Sequence, residues 1–191
     1  MRNQLLSIFT MSVLAVASLT ASTLSVAQSN QPANTPMAND AKNTVLRQDL
    51  LTLIKKGQAI EAETKPKQLE LEKKYQPQVA QAKTDEQKQA LQTQFLTDVV
   101  AFKTSQKQQL LALSFTEPRV ANLRNKVVAT LDSDIAAAQV VINNPIPTAD
   151  SQKKFTAAIN QSKTLTKETH DSFASLMTEA GLNKNSLTPK K

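Results

Sequence analysis

Residues 116–147 read TEPRVANLRNKVVATLDSDIAAAQVVINNPIP. Apolar residues recur here every three or four positions, which is the spacing of one buried face of an α-helix. Thr116 offers a hydroxyl cap, and Pro118 fits the first helical turn, where its missing N–H is harmless. Pro145 and Pro147 end the pattern, because neither can continue a helix. The buried face of this predicted helix holds Val120, Leu123, Val127, Leu131, Ile135, Ala138 and Ile142.

The preceding segment predicts a second helix on the same spacing. Residues 84–87 read Thr-Asp-Glu-Gln, a capping box in which the Thr hydroxyl and the Gln side chain each bond a backbone amide at the helix start. The apolar spacing continues to Leu113, with Gln106 as its single polar member. The remaining members of this face are Leu91, Phe95, Val99, Phe102 and Leu110.

The first helical segment is interrupted by prolines. One apolar face predicts a helix over residues 41–64, and the spacing restarts after Pro66 with Pro77 in its interior. Residues 67–83 are therefore either a kinked continuation of the first helix or a separate, weaker helix. The first face consists of Leu46, Leu50, Leu53, Ile54, Gly57 and Ile60, and the second of Leu71, Tyr75, Val79 and Ala82.

A last helix is predicted between two end signals. Thr148 can cap its start, and Gly181 stands where a left-handed residue terminates a helix. Its inner face holds Phe155, Ile159, Ser162, Leu165, Phe173, Leu176 and Ala180.

These segments predict an all-α fold. The chain has two glycines and no run of alternating apolar and polar residues, which argues against sheets and their glycine-rich turns. Short connections favour antiparallel neighbours. We expect an elongated antiparallel bundle of three to four helices over residues 41–181, with the first helix kinked near Pro66 and Pro77 and a flexible tail at 182–191. In the three-helix alternative, the first segment is partly detached from the bundle.

The N-terminus predicts export. Residues 1–27 combine a basic start at Arg2, an apolar stretch and the small residues Ser25 and Ala27 around a cleavage position, as in a signal peptide. The alternative, an uncleaved anchor, is disfavoured because hydroxyl residues dilute a span that needs about 20 apolar residues. The chain has no cysteine for lipoprotein acylation. We expect cleavage near Ala27, a disordered polar leader at 28–40, and a periplasmic or secreted protein.

The positive charge predicts an anionic partner. Removal of residues 1–27 leaves 22 basic and 16 acidic residues, and the surplus falls in residues 41–83 and 146–191. If these two segments pack side by side, they form one basic face. Nucleic acid is disfavoured by the compartment and by the few aromatic platforms, and a membrane contact is at most peripheral. The candidate contacts are Lys55, Lys56, Lys65, Lys67, Lys73, Lys74, Lys153, Lys154, Lys163 and Lys167.

The sequence contains no pattern typical of a catalytic or metal site. His170 is the only histidine and follows Glu168 in Glu-x-His order, not the Glu-x-x-His of di-iron bundles. No nucleophile motif or phosphate-binding glycine loop is present. Asp132 and Asp134 flank the apolar face of their helix, and we expect both to point outward. The prediction is therefore a protein without catalytic residues, cofactor or metal.

Three functions are compatible with these features. The leading hypothesis is a non-catalytic, exported binding protein with a chaperone-like or stress-related role on unfolded envelope proteins. The second is a structural or surface-associated protein that holds anionic envelope polymer or lipid through the same lysines. The third, an enzyme, has no supporting residues. The oligomeric state is open.

Overall fold

The computed structural model describes residues 38–182 of the chain. The predicted all-α bundle is confirmed, because these residues form four packed helices and no strand. We name them α1 (Ala38–Gln81), α2 (Asp85–Leu111), α3 (Pro118–Asn143) and α4 (Ala149–Glu179). The predicted signal peptide, the leader up to residue 37 and the tail from residue 183 lie outside the described residues.

The first helix is continuous through both of its prolines. α1 spans 44 residues and contains Pro66 and Pro77, so residues 67–83 do not form a separate helix. Both prolines are exposed. The carbonyl that each proline leaves without a helical donor therefore faces water, which reduces the penalty of an interior proline. The kink expected at these positions stays a prediction.

The predicted cap of α2 is confirmed, and that of α3 is wrong by one residue. At α2, the Gln87 amide donates to Thr84 Oγ1 and the Thr84 amide donates to Gln87 Oε1, each over 3.2 Å. The N-cap of α3 is Glu117, not Thr116, and its carboxylate accepts from the Arg119 amide. A contact between helices accounts for the shift, because the Glu117 amide donates to Asp49 Oδ2 of α1 over 2.7 Å.

Both ends of α4 follow the sequence signals. Thr148 caps the start in a reciprocal pair with Ser151. Gly181 has a φ of 61°, the left-handed conformation that glycine adopts without strain. The Leu182 amide donates to the Met177 carbonyl over 2.9 Å, which closes a Schellman motif. Leu182 is itself buried in the core, so this motif also fastens the end of α4 to the bundle.

The apolar residues bury in two unequal groups. The larger, which we call the main core, draws sixteen buried residues from the four helices and from two residues of the turn after α4. The smaller, which we call the distal cluster, joins two adjoining sets that share the half-buried Phe95: Leu71, Tyr75 and Val99 in one, and Leu96 and Ala138 in the other. The main core consists of Leu46, Leu50, Leu53, Ile54, Ile60, Leu110, Val120, Leu123, Val127, Val128, Leu131, Phe173, Leu176, Met177, Ala180 and Leu182.

These groups show that α1 docks along its length. Its first half enters the main core, and its second half places Leu71 and Tyr75 in the distal cluster against Val99 of α2. The three-helix alternative with a detached first segment is therefore not what the structure has. Leu69, in contrast, is 47% exposed.

Truncation of α1 side chains should separate these two environments. We expect Leu50→Ala, at a fully buried site, to lower the free energy of unfolding by about 2 to 5 kcal/mol. Leu69→Ala is the matched control on the same helix and should change it by less than about 0.5 kcal/mol. Urea denaturation followed by circular dichroism measures both. Equal effects of the two substitutions would show that α1 is not docked as described.

Candidate anionic-partner surface and buried polar layer

Four lysines of α1 project into solvent without an ionic partner. Lys55, Lys65 and Lys73 are exposed and Lys56 is half-buried. Among the described residues, none of these four ammonium groups forms an ion pair within 4.0 Å. Their charges therefore remain available to a partner from outside the chain.

The other two predicted lysines of α1 are engaged within the protein. Lys67 Nζ lies 2.7 Å from Glu70 Oε1. Lys74 Nζ lies 2.8 Å from Asp98 Oδ2 of α2, and this hydrogen bond raises the pKa of Lys74 and lowers that of Asp98. Lys67 is therefore paired within α1, and Lys74 joins α1 to α2, so neither ammonium group is free to bind an external partner.

Each described carboxylate of α1 from Asp49 onward has an intramolecular partner, unlike the four lysines above. Asp49 accepts from the Glu117 amide, and Glu63 accepts from Gln109 Nε2 of α2. Glu70 pairs with Lys67, Glu72 accepts from Gln68, and Glu61 also has an intramolecular contact. These contacts orient the negative groups along the helix and toward α2 and α3, and they leave the four free ammonium groups as the unengaged charges predicted for this surface.

The lysines of α4 do not form a cationic surplus. α4 carries four lysines and four carboxylates. Lys154 lies 2.6 Å from Asp150, and Lys167 lies 2.6 Å from Asp171, whose hydrogen bond raises the pKa of the lysine. Lys153 and Lys163 are exposed and form no ion pair in the described part of the chain. The positive surplus of residues 146–191 thus depends on lysines beyond residue 182, outside the described residues.

The core contact between α1 and α4 does not involve the lysine-bearing part of α4. In the main core, α1 contributes residues 46–60, and α4 with its following turn contributes residues 173–182. The four α4 lysines lie at positions 153–167, before this contact. The single basic face predicted from side-by-side packing of the two segments therefore reduces, on the described residues, to the lysines of α1.

A buried ion pair was not predicted from the sequence. Lys103 Nζ of α2 lies 3.1 Å from Asp134 Oδ2 of α3, and both side chains are 3% exposed. Ser162 of α4 donates to the other carboxylate oxygen over 2.6 Å. The prediction that Asp134 points outward is wrong, because the carboxylate is the acceptor that joins α2 to α4. Asp132, 48% exposed, pairs with Lys107 at the surface as expected.

Burial governs the electrostatics of this triad. Loss of hydration lowers the pKa of Lys103, and the nearby Asp134 carboxylate opposes that shift. Ser162 is buried and donates a hydrogen bond to Asp134. A nucleophilic serine must be accessible to its substrate, and the burial of Ser162 does not provide that access. A shallow depression of about 500 Å³ on α4 is lined by Ala149, Gln152, Lys153, Thr156, Ala157 and Asn160, none of which belongs to the triad.

The triad belongs to a wider buried layer, which we call the middle polar layer. Lys103, Gln106, Asp134 and Ser162 lie between the main core and the distal cluster, whereas Thr130 is followed by Leu131 of the main core. Each helix contributes to the layer, α1 through the half-buried Thr64. Gln106 Nε2 donates to Thr64 Oγ1 of α1 over 2.8 Å, whereas Thr169 Oγ1 is buried without a hydrogen-bond partner among residues 38–182. The layer consists of Thr64, Lys103, Gln106, Thr130, Ser133, Asp134, Ser162 and Thr169.

A strict heptad spacing could have revealed this layer. The series 99, 103, 106 and 110 in α2 alternates steps of four and three, and so does 123, 127, 130 and 134 in α3. This is the spacing of side chains that face a partner helix throughout. The sequence prediction followed apolar residues only and therefore passed over Lys103, Thr130 and Asp134.

The described residues also bear on the metal and membrane predictions. No cluster of three or more His, Asp or Glu side chains in this part of the chain is arranged to hold a metal ion. His170 is exposed, with Nδ1 3.8 Å from Asp171 Oδ1. None of the four helices has the length and hydropathy of a membrane span.

Comparisons of the chain with protein-family models, with curated proteins and with solved structures give no match.

The contact between Lys74, Asp98 and Tyr75 gives a measurable titration. Tyr75 is the only tyrosine, and its hydroxyl donates to Asp98 Oδ2 over 2.8 Å. Burial first, and the Asp98 hydrogen bond second, raise the pKa of Tyr75 above its ordinary value of 10.0, while Lys74 opposes the shift. Because the pKa of Tyr75 is raised on folding, the protonated hydroxyl stabilises the folded state. This stabilisation is complete below pH 10 and is lost as the pH rises through the folded-state pKa.

Asp98→Asn should lower the tyrosine pKa relative to the wild type. It should stay above the ordinary value, because burial against Phe95 persists. Absorbance at 295 nm against pH measures the titration without interference from other tyrosines or tryptophan. Asp85→Asn, at an exposed carboxylate at the start of the same helix, is the control and should leave the curve unchanged. An ordinary pKa in the wild type would contradict the described contact.

Proposed function

We propose that this protein is an exported, non-catalytic helical binding protein that holds an anionic envelope partner through the lysines of α1. One observation carries the proposal: Lys55, Lys56, Lys65 and Lys73 form no ion pair with any described residue, while the described carboxylates of the same helix each have an intramolecular partner. Unengaged ammonium groups attract phosphate or carboxylate groups on a polymer or a lipid surface.

Two of these lysines are placed to contact an extended partner along one side of α1, and Lys56 and Lys65 lie to either side of that line. Lys55 and Lys73 are 18 residues apart, which is about five helical turns, so they lie on one side of α1 about 27 Å apart. Contacts between neighbouring helices support an antiparallel, elongated bundle that displays this length. Lys103 pairs with Asp134 and Lys107 with Asp132, so the partner number falls as the residue number rises.

The chaperone-like role has less support. Binding of unfolded clients usually requires contiguous exposed apolar surface. In the described part of the chain, the exposed large hydrophobics are Leu69, Val79, Leu111 and Ile146, which come from α1, the end of α2 and the loop before α4. We therefore place the anionic-polymer or lipid role first, and an enzymatic role has no residues to support it.

Export has a direct test. We expect the mature protein to begin at Gln28, because Ser25 and Ala27 form the predicted cleavage pattern. Intact-mass measurement of protein recovered from the native envelope or medium determines the N-terminus. Ala27→Arg should block processing, whereas Ala33→Arg, beyond the cleavage position, should not. Recovery of the unprocessed chain there would refute cleavage, and absence of the protein from both fractions would refute export.

The lysine surface can be tested with two variants matched in charge. We expect replacement of Lys55, Lys56, Lys65 and Lys73 by Gln to weaken binding to poly-L-glutamate or to phosphatidylglycerol vesicles by at least about tenfold. Replacement of Lys153, Lys154, Lys163 and Lys167 by Gln removes equal charge and should have a much smaller effect. Co-sedimentation for vesicles and calorimetry for the polymer provide the measurements.

Salt and the two probes make the outcomes distinct. Wild-type binding should fall as salt rises, because exposed charges are screened over about 8 Å at physiological ionic strength. Binding to the vesicles alone would indicate lipid, and binding to the polymer alone would indicate an envelope polymer. Equal losses in both variants would show that net charge, and not the α1 surface, determines binding. No binding of the wild type to either probe would overturn the proposal.

A further inference from the structure

The two halves of the bundle are unequally packed. The main core buries sixteen apolar residues, whereas the distal cluster buries five. The distal cluster is bordered by apolar side chains that are only half-buried. These are Leu91, Phe95, Val100, Val141, Ile142 and Phe155.

The middle polar layer lies between these halves. Along α2, the buried apolar residues Leu96 and Val99 are separated from Leu110 by Lys103 and Gln106. Along α3, Ser133 and Asp134 follow Leu131 and precede Ala137 and Ala138. Along α4, Ser162 and Thr169 precede Phe173. A continuous apolar core would couple both halves, and the contact between Lys103, Asp134 and Ser162 interrupts it.

The layer also contains polar groups whose burial stabilises the fold little. A buried ion pair loses hydration that its mutual attraction only partly offsets. The buried Thr169 hydroxyl has no hydrogen-bond partner in the described part of the chain. Hydration of these groups therefore costs less free energy than hydration of the main core.

We propose that the middle polar layer is the boundary of a sub-global opening, in which the distal half separates while the main core stays folded. The distal half comprises residues 71–81, 85–99, 137–143 and 149–159. Opening exposes Phe95, Ile142 and Phe155 together, an apolar surface that the closed bundle half-covers. Regions with few buried apolar contacts open at lower free energy than the core in this way.

Hydrogen exchange measured by mass spectrometry tests the opening in the wild type. We expect amides of residues 92–99 and 137–141 to have protection factors at least about tenfold lower than those of residues 123–131 and 173–177. Residues 92–99 lie well inside α2, and residues 137–141 and 173–177 each end two residues before the end of their helix, so fraying would affect these two ranges alike. The distal exchange should also depend less steeply on urea, because a partial opening exposes less surface than global unfolding. Uniform protection and a uniform urea dependence would overturn the proposal.

A pair of double variants tests the role of the layer. Lys103→Met with Asp134→Leu replaces the buried pair by apolar side chains and should raise distal protection toward that of the main core. Lys107→Met with Asp132→Leu removes a second Lys–Asp pair between the same helices, but at the surface, and should leave the difference unchanged. Binding of the dye anilinonaphthalene sulfonate should fall in the first variant only.

The exchange rates of the two variants, compared with those of the wild type, decide whether the middle polar layer is the boundary of the opening. A lower wild-type distal protection that the buried replacement does not raise would show that the layer is not the boundary. An equal rise in both variants would assign the effect to surface hydrophobicity instead. If the buried replacement fails to fold, the urea dependence of wild-type exchange still decides whether the distal half opens separately.

Discussion

Burial of the apolar face of α3 is the constraint on which the fold depends. Val120, Leu123, Val127 and Leu131 are each 1% exposed or less. The chain has no cysteine, so no disulfide restricts its unfolded state, and apolar burial must supply most of the stability. An amphipathic helix hides such a face only against other helices. The apolar residues of α1, α2 and α4 meet α3 in the main core and fix the arrangement of the bundle.

The buried triad is better understood as a structural feature than as a catalytic one. Removal of one partner from a buried ion pair destabilises a protein by about 3 to 5 kcal/mol, yet an apolar replacement of both is often neutral or stabilising. The pair therefore restricts which residues face each other more than it adds stability. Asp134 accepts from α2 and α4 at once, so one carboxylate aligns three helices. The same residues interrupt the apolar core and leave its two halves weakly coupled.

The surface depends on which charges the fold neutralises. α1 carries seven lysines and α4 carries four, and their surroundings differ. Lys154 and Lys167 have a carboxylate four residues away on their own helix, whereas Lys55 and Lys73 form no ion pair in the described chain. The carboxylates of α1 are turned toward amides and cations of the protein itself. An anionic partner would thus meet α1 before α4.

The sequence by itself determined the secondary structure and most of the core. Spacing by three and four predicted all four helical segments, and local signals predicted the cap at Thr84, the cap at Thr148 and the left-handed Gly181, because these depend on neighbours within one turn. Only the tertiary structure decided the continuity of α1 through its exposed prolines, the cap of α3 at Glu117, the inward position of Asp134 and the free lysines of α1. Each of these depends on a group that is distant in sequence or on access to water. Lys103 lies 31 residues before Asp134, and no local pattern specifies that the two will meet.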